Sequence, residues 1–173
     1  MGFITLAVAK KLLHEAEQRA KRIGVSAVIA VVDEGGHLAA CHRMDDSPIA
    51  SIEHAQDKAW TAVAMKRPTS ELASLAAPNG ELFGINKTNN GRVVILGGGI
   101  PILMNGKIVG AVGSCCGDTD HDIEISQAAV EALKIEEQAE SSDAQPTAAR
   151  QHQNYLQEFY EQHLGLVNDA RSN

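Results

Sequence analysis

The sequence predicts an α/β chain of the α+β type, a single antiparallel sheet flanked by helices. Three observations carry this. The turn signals Glu34-Gly35-Gly36 and Asn105-Gly106 each sit between apolar runs, the pattern of a β-hairpin. Helical periodicity lies before, between and after those hairpins, without the strict alternation of a doubly wound parallel sheet. Aromatic residues make up only 3% of the chain, so its core must be built from Ala, Val, Ile and Leu, small side chains that let backbones approach closely.

The elements follow in order. Leu6, Ala9, Leu12, Leu13, Ala16 and Ala20 recur at the spacing of a helix with one buried face, capped by Thr5 and stopped by Gly24. Val25–Val32 is an apolar, β-branched strand, and Leu38–Arg43 returns beside it. Asp46 or Ser47 caps the next helix, with Pro48 in its first turn; its buried stripe is Ile52, Ala55, Ala59, Ala62 and Val63, and Arg67-Pro68 ends it. Thr69 starts a short helix carrying Leu72 and Leu75, and Ala77–Asn90 reads as a surface loop. Arg92–Leu96 is expected as a strand, broken by Gly97-Gly98-Gly99 and resumed over Ile100–Met104, with Lys107–Ser114 as its partner. Thr119 and Asp122 resemble a capping box opening a helix over Asp120–Lys134. Ala139–Thr147 reads as a linker before an amphipathic helix from Ala148 to Leu164 that holds Tyr155, Leu156, Phe159 and Tyr160. The expected organisation is a domain over residues 1–138 and an extension over 139–173.

Charge and composition exclude several functions. The formal net charge is −7 and the basic residues form no one-sided patch, which argues against nucleic acid and anionic membrane surfaces. No apolar run is long enough to span a bilayer, and no signal peptide is seen. Cys41, Cys115 and Cys116 form no disulfide framework, so a reduced, cytoplasmic setting is expected.

The chemically capable residues concentrate in Val28–Met65. His42 lies on a strand and faces either the core or a pocket. Glu53, His54, Asp57 and Lys58 share a helix, where they form either a solvated face or a set able to hold a cation or move protons. Gly97, Gly98 and Gly99 could present free amides to an anion, or could simply bend the chain. Cys115-Cys116, near Asp118 and His121, could supply a nucleophile or could be plain buried thiols. No Cys-x-x-Cys or His-x-x-x-His spacing marks a structural zinc site.

Several motifs in order are similar to one family. The run Val31–Val63 contains Asp33 to Gly36, Arg43-Met44-Asp45 and Lys58 to Ala62; Arg67-Pro68-Thr69, Leu96–Ile102 and Gly106–Gly113 follow. Over about Phe3 to Leu133 the chain resembles the GlcG/HbpS family, which includes the C-terminal domain of PduO-type proteins. The resemblance implies a profilin-like α/β/α sandwich with a central antiparallel sheet, assembly into homo-oligomers and, in some members, haem binding. Cys115-Cys116 and the tail after Lys134 depart from the family pattern.

The leading expectation is therefore a small-molecule binding protein whose ligand is haem or a related tetrapyrrole. His42 or His54 would ligate the iron, and Arg43, Lys58 and the Gly97–Gly99 amides would meet propionates, in a pocket between the Asp46–Met65 helix and the glycine-rich strand region. The alternative is a cofactor-independent enzyme of small-molecule catabolism acting on an oxidised or carbonyl compound. There Glu53 or His54 would be the base and Lys58 would polarise the substrate. A third reading is an oligomeric scaffold assembled through the tail.

Overall fold

The structure, a computed structural model, describes residues 2–143, with side chains to residue 134. Two hairpins and the helices around them build a four-stranded antiparallel sheet in the order β2-β1-β4-β3. The strands are β1 (Val28–Asp33), β2 (Leu38–Arg43), β3 (Gly99–Met104) and β4 (Lys107–Cys115). Helix α1 (Leu6–Arg22) precedes the first hairpin; α2 (Ser51–Ala64) and the short α3 (Leu72–Leu75) separate the hairpins; α4 (Thr119–Asp143) follows the second.

Local chemistry explains the turns. Asp33 Oδ1 accepts the amides of Gly35 and His37, each at 2.9 Å, and Gly36 takes a φ of 75° that glycine adopts without steric cost. Burial pulls the Asp33 carboxyl upward, but those two amides and the His37 imidazole outweigh it and hold the pKa below its usual value. At the second hairpin Asn105 and Gly106 both have positive φ, the geometry of a two-residue turn whose twist matches the strands. Thr5 caps α1 by accepting the Val8 amide at 3.2 Å.

The core lies on both faces of the sheet. On one, Ile29, Val31 and Val112 meet Leu12, Leu13 and Ala16 of α1 and Ile125, Ala129 and Val130 of α4. On the other, Val28, Ala30 and Cys115 meet Ala55, while Val32 and Ala111 meet Ala59 and Ala62 of α2. Glycine makes this second contact close. A Cβ added to Gly113 would lie 2.1 Å from the Ala55 carbonyl oxygen, and one on Gly99 would lie 2.2 Å from that of Lys58.

Five expectations are corrected. Arg92–Leu96 is not a strand. Its polar backbone groups turn to α2, where Thr61 Oγ1 donates to the Arg92 carbonyl at 3.3 Å and accepts the Val94 amide at 3.1 Å. Helix α2 starts at Ser51 without a side-chain cap, because Asp46 takes a φ of 65° and Pro48–Ala50 form turns first. Leu6, expected on the buried stripe of α1, is 58% exposed. The cap of α4 is Asp118, whose Oδ1 accepts the His121 amide at 2.9 Å. That bond holds the Asp118 carboxyl below its usual pKa. Residues 139–143, expected in the linker, belong to α4; the expected tail helix lies outside the described residues. Among the described residues no helix is long and apolar enough to cross a membrane.

Candidate functional site

The sheet register separates the two histidines. His42 stands opposite Ile29, which stands opposite Ser114, so these residues share a face. Ile29 belongs to the α1/α4 core. Cys115 stands opposite Val28, one register position along, and belongs to the α2 face. His54, on α2, places Nδ1 3.9 Å from Cys115 Sγ. His42 and His54 therefore lie on opposite faces and do not converge on one metal ion.

His42 is held by α1. Its Nδ1 lies 2.5 Å from Glu17 Oε1, and its side chain is half exposed. Beside it opens a cleft of about 440 Å³ lined by Glu17 and Lys21 of α1, Ser26, and the turn Arg43–Asp46. Arg43 donates from Nε and Nη2 to the Ser47 carbonyl at 3.1 and 2.7 Å, which fixes its guanidinium at the mouth of this turn. The cleft lining is mostly charged, with Lys21 and Arg43 beside the carboxylates Glu17, Asp45 and Asp46 in its wall.

Glu53, His54 and Lys58 do not assemble. Glu53 and His54 are exposed, whereas the Lys58 side chain is 2% exposed. Lys58 Nζ donates to Asp122 Oδ2 at 2.5 Å and to the Ser114 carbonyl at 3.0 Å. Asp122 Oδ1 accepts the Cys116 amide at 2.6 Å. Ser114 Oγ donates to the Asp122 carbonyl, and Ser126 Oγ donates to the Gly98 carbonyl. This buried network joins α2, β4, α4 and the glycine turn. The sequence reading missed Asp122 as the partner of Lys58 and Glu17 as the partner of His42. Only the shared helical face of Lys58 with Ala55, Ala59 and Ala62 hinted that its side chain is buried.

Gly97, Gly98 and Gly99 are all buried. The Gly99 amide donates to Thr69 Oγ1 at 2.9 Å, and side chains at Gly97 would strike Ile123 and Thr119 of α4. The glycines are the surface on which α2 and α4 dock. The expected pocket between α2 and this region is thus corrected: backbone contact at Gly99 and Gly113 fills that space.

The thiols differ. Burial pushes the Cys116 thiol up to about 11, with the Asp122 carboxylate adding to it against the Asp118 hydrogen bond. Burial also raises Cys41, partly offset by a hydrogen bond with Gln56. Among the described residues no group of His, Cys, Asp and Glu is arranged to hold a metal ion unaided.

A four-stranded antiparallel sheet with helices on both faces defines a small α+β domain, with His42 and His54 on opposite sides of the sheet. The chain belongs to the family described as haem degrading protein HbpS-like, which it matches over residues 4–131. It is 39% identical over 128 residues to an uncharacterized 15.0 kDa protein of the dhaT-dhaS intergenic region of Citrobacter freundii, covering 74% of this chain and 90% of that one. The solved PduOC:heme complex is similar at a TM-score of 0.72 and 35% identity, over 75% of this chain and 94% of that chain. A double mutant of Streptomyces reticuli HbpS is similar at a TM-score of 0.69 and 30% identity, over 75% and 86% of the two chains.

Proposed function

We propose that this chain binds haem, with His42 as its iron ligand. The observation that carries the reading is the similarity, along most of the chain, to a protein solved as a haem complex. The donor chemistry at His42 supports the choice of ligand. A metal-bound imidazole generally gives its second nitrogen to a carboxylate, which fixes the tautomer and raises the basicity of the first. Glu17 stands in that relation to His42 Nδ1, and Nε2 is left for iron. Lys21 and Arg43, which line the adjoining cleft, are the cations we assign to the propionates. Haem supplies an iron centre whose behaviour is set by its axial ligand and surroundings. The chain's part is to orient one imidazole and to neutralise two carboxylates. His54 is the competing ligand, on the other face of the sheet.

Titration of the full chain with haemin, followed by visible absorbance, tests this. A saturable Soret shift is expected, weakened by at least about tenfold in affinity in His42→Ala, the scale of a lost metal-site group, and retained in His54→Ala. A titration without saturation overturns haem binding. Loss in His54→Ala with retention in His42→Ala overturns the ligand assignment and moves it to the α2 face.

A further inference from the structure

We infer that Cys115 is a nucleophile, with His54 as its proton acceptor and donor, and that the pair forms a covalent addition site for small α,β-unsaturated carbonyl compounds. Cys115 ends β4 and His54 projects from α2; their Sγ and Nδ1 lie 3.9 Å apart, within reach of a thiol hydrogen bond. A thiol paired with an imidazole is the usual arrangement for an activated sulfur nucleophile, and such contacts are often loose before substrate arrives.

The other polar groups at this end of the strand are committed elsewhere. Lys58 is held by Asp122 and the Ser114 carbonyl. Asp118 accepts the His121 amide, and the Cys116 thiol donates to the Asp118 carbonyl at 3.7 Å. His54 is thus the base left for Cys115. Burial raises the thiols of Cys41 and Cys116.

Access sets the ligand class. Cys115 is 6% exposed and His54 is exposed, so a small reagent can reach the sulfur along the imidazole while bulky ones are refused. Addition asks of the pair only that one proton be taken from the thiol and returned to the product, with no leaving group to accommodate. The Cys115 proton passes to His54 Nδ1, and the sulfur electron pair forms a C–S bond at the β-carbon. The C=C π pair moves to the α-carbon, which then takes the proton back from the imidazolium. Nothing leaves and no oxidant is consumed. The inference does not rest on haem binding, since Cys115 and His54 lie on the α2 face and His42 on the other.

The test is alkylation of the folded full chain by acrylamide, with adducts at the three cysteines quantified by peptide mass spectrometry. Cys115 is expected to react at least about tenfold faster than Cys41 or Cys116 at pH 7. His54→Gln should slow Cys115 by about tenfold or more, the lower range for a lost acid–base group, without changing the other two rates. Faster reaction at Cys41 or Cys116, or an unchanged Cys115 rate in His54→Gln, overturns the assignment. If circular dichroism shows that His54→Gln disturbs the fold, the pH profile of the unaltered chain decides. A Cys115 rate that rises through the imidazole range, about 6–7, supports the pair. A rise centred on an unassisted thiol, about 8.5, overturns it.

Discussion

Lys58 shows how a residue can be read correctly by position and wrongly by charge. It sits one turn beyond His54, which suggested a shared chemical surface. Yet it also falls between Ala55 and Ala62 on the buried face, and burial wins because Asp122, brought from the start of α4, meets its ammonium. That partner lies 64 positions away in sequence, and no spacing rule connects them. The pair is 2% and 4% exposed, so removing one member leaves an uncompensated charge in a dry interior. Lys58→Ala is expected to cost about 3–5 kcal/mol of unfolding free energy, and Asp122→Ala a similar amount. The double replacement Lys58→Met with Asp122→Leu should recover much of that loss, because no charge is then stranded. Denaturant unfolding of the three variants measures this. A loss below about 1 kcal/mol in Lys58→Ala, the scale of an exposed ion pair, would contradict the buried geometry.

At the scale of the element, legibility followed locality. Both hairpin turns, the Thr5 cap and the Gly24 stop depend on residues a few positions apart, and the sequence displays them. The Arg92–Leu96 segment has the composition of a strand, but its backbone bonds go to Thr61, a partner some thirty residues earlier. Arg92 adds an ion pair with Asp57 at 2.9 Å and stacks on Trp60 at 4.6 Å. Local propensity cannot register such partners. The glycines of β3 and β4 were legible as unusual but not in their purpose, which is to let α2 lie directly on the strands. Two alanine substitutions separate close packing from backbone freedom. At Gly113 a Cβ would enter the Ala55 carbonyl, so Gly113→Ala should cost about 3 kcal/mol or more through displacement of α2. At Gly24 nothing lies within 4 Å, and only the positive φ resists, so Gly24→Ala should cost about 1 kcal/mol. Thermal unfolding of both variants checks the order, and equal costs would mean that α2 does not rest on Gly113 as described.

At the scale of the whole molecule, the family domain and the remainder of the chain are separable questions. Residues 1–133 form one compact unit by their internal contacts, and the family match spans residues 4–131. The Citrobacter freundii relative is matched along 90% of its own length, whereas the PduO relatives are matched along 37% of theirs. Within the domain, every strand is paired, α1 and α4 close one face and α2 closes the other. Arg19 of α1 is ion-paired with Glu124 of α4, which fastens those two helices to each other on their shared face of the sheet. These contacts, all among the described residues, supply a two-sided core. A chain ending after Asp143 is therefore expected to unfold in one cooperative transition, with a Tm within about 4 °C of the full chain, the shift that about 1 kcal/mol produces in a domain of this size. The same shortened chain should keep the haemin response assigned to His42, because Glu17, Lys21 and Arg43 all lie within the first fifty residues. Calorimetry and a haemin titration on the shortened chain measure both. A broad or absent transition would show that residues beyond 143 complete the fold. An intact transition with a lost Soret shift would instead assign the ligand's enclosure to the tail, and with it the purpose of the Tyr155, Phe159 and Tyr160 cluster that sets the end of this sequence apart.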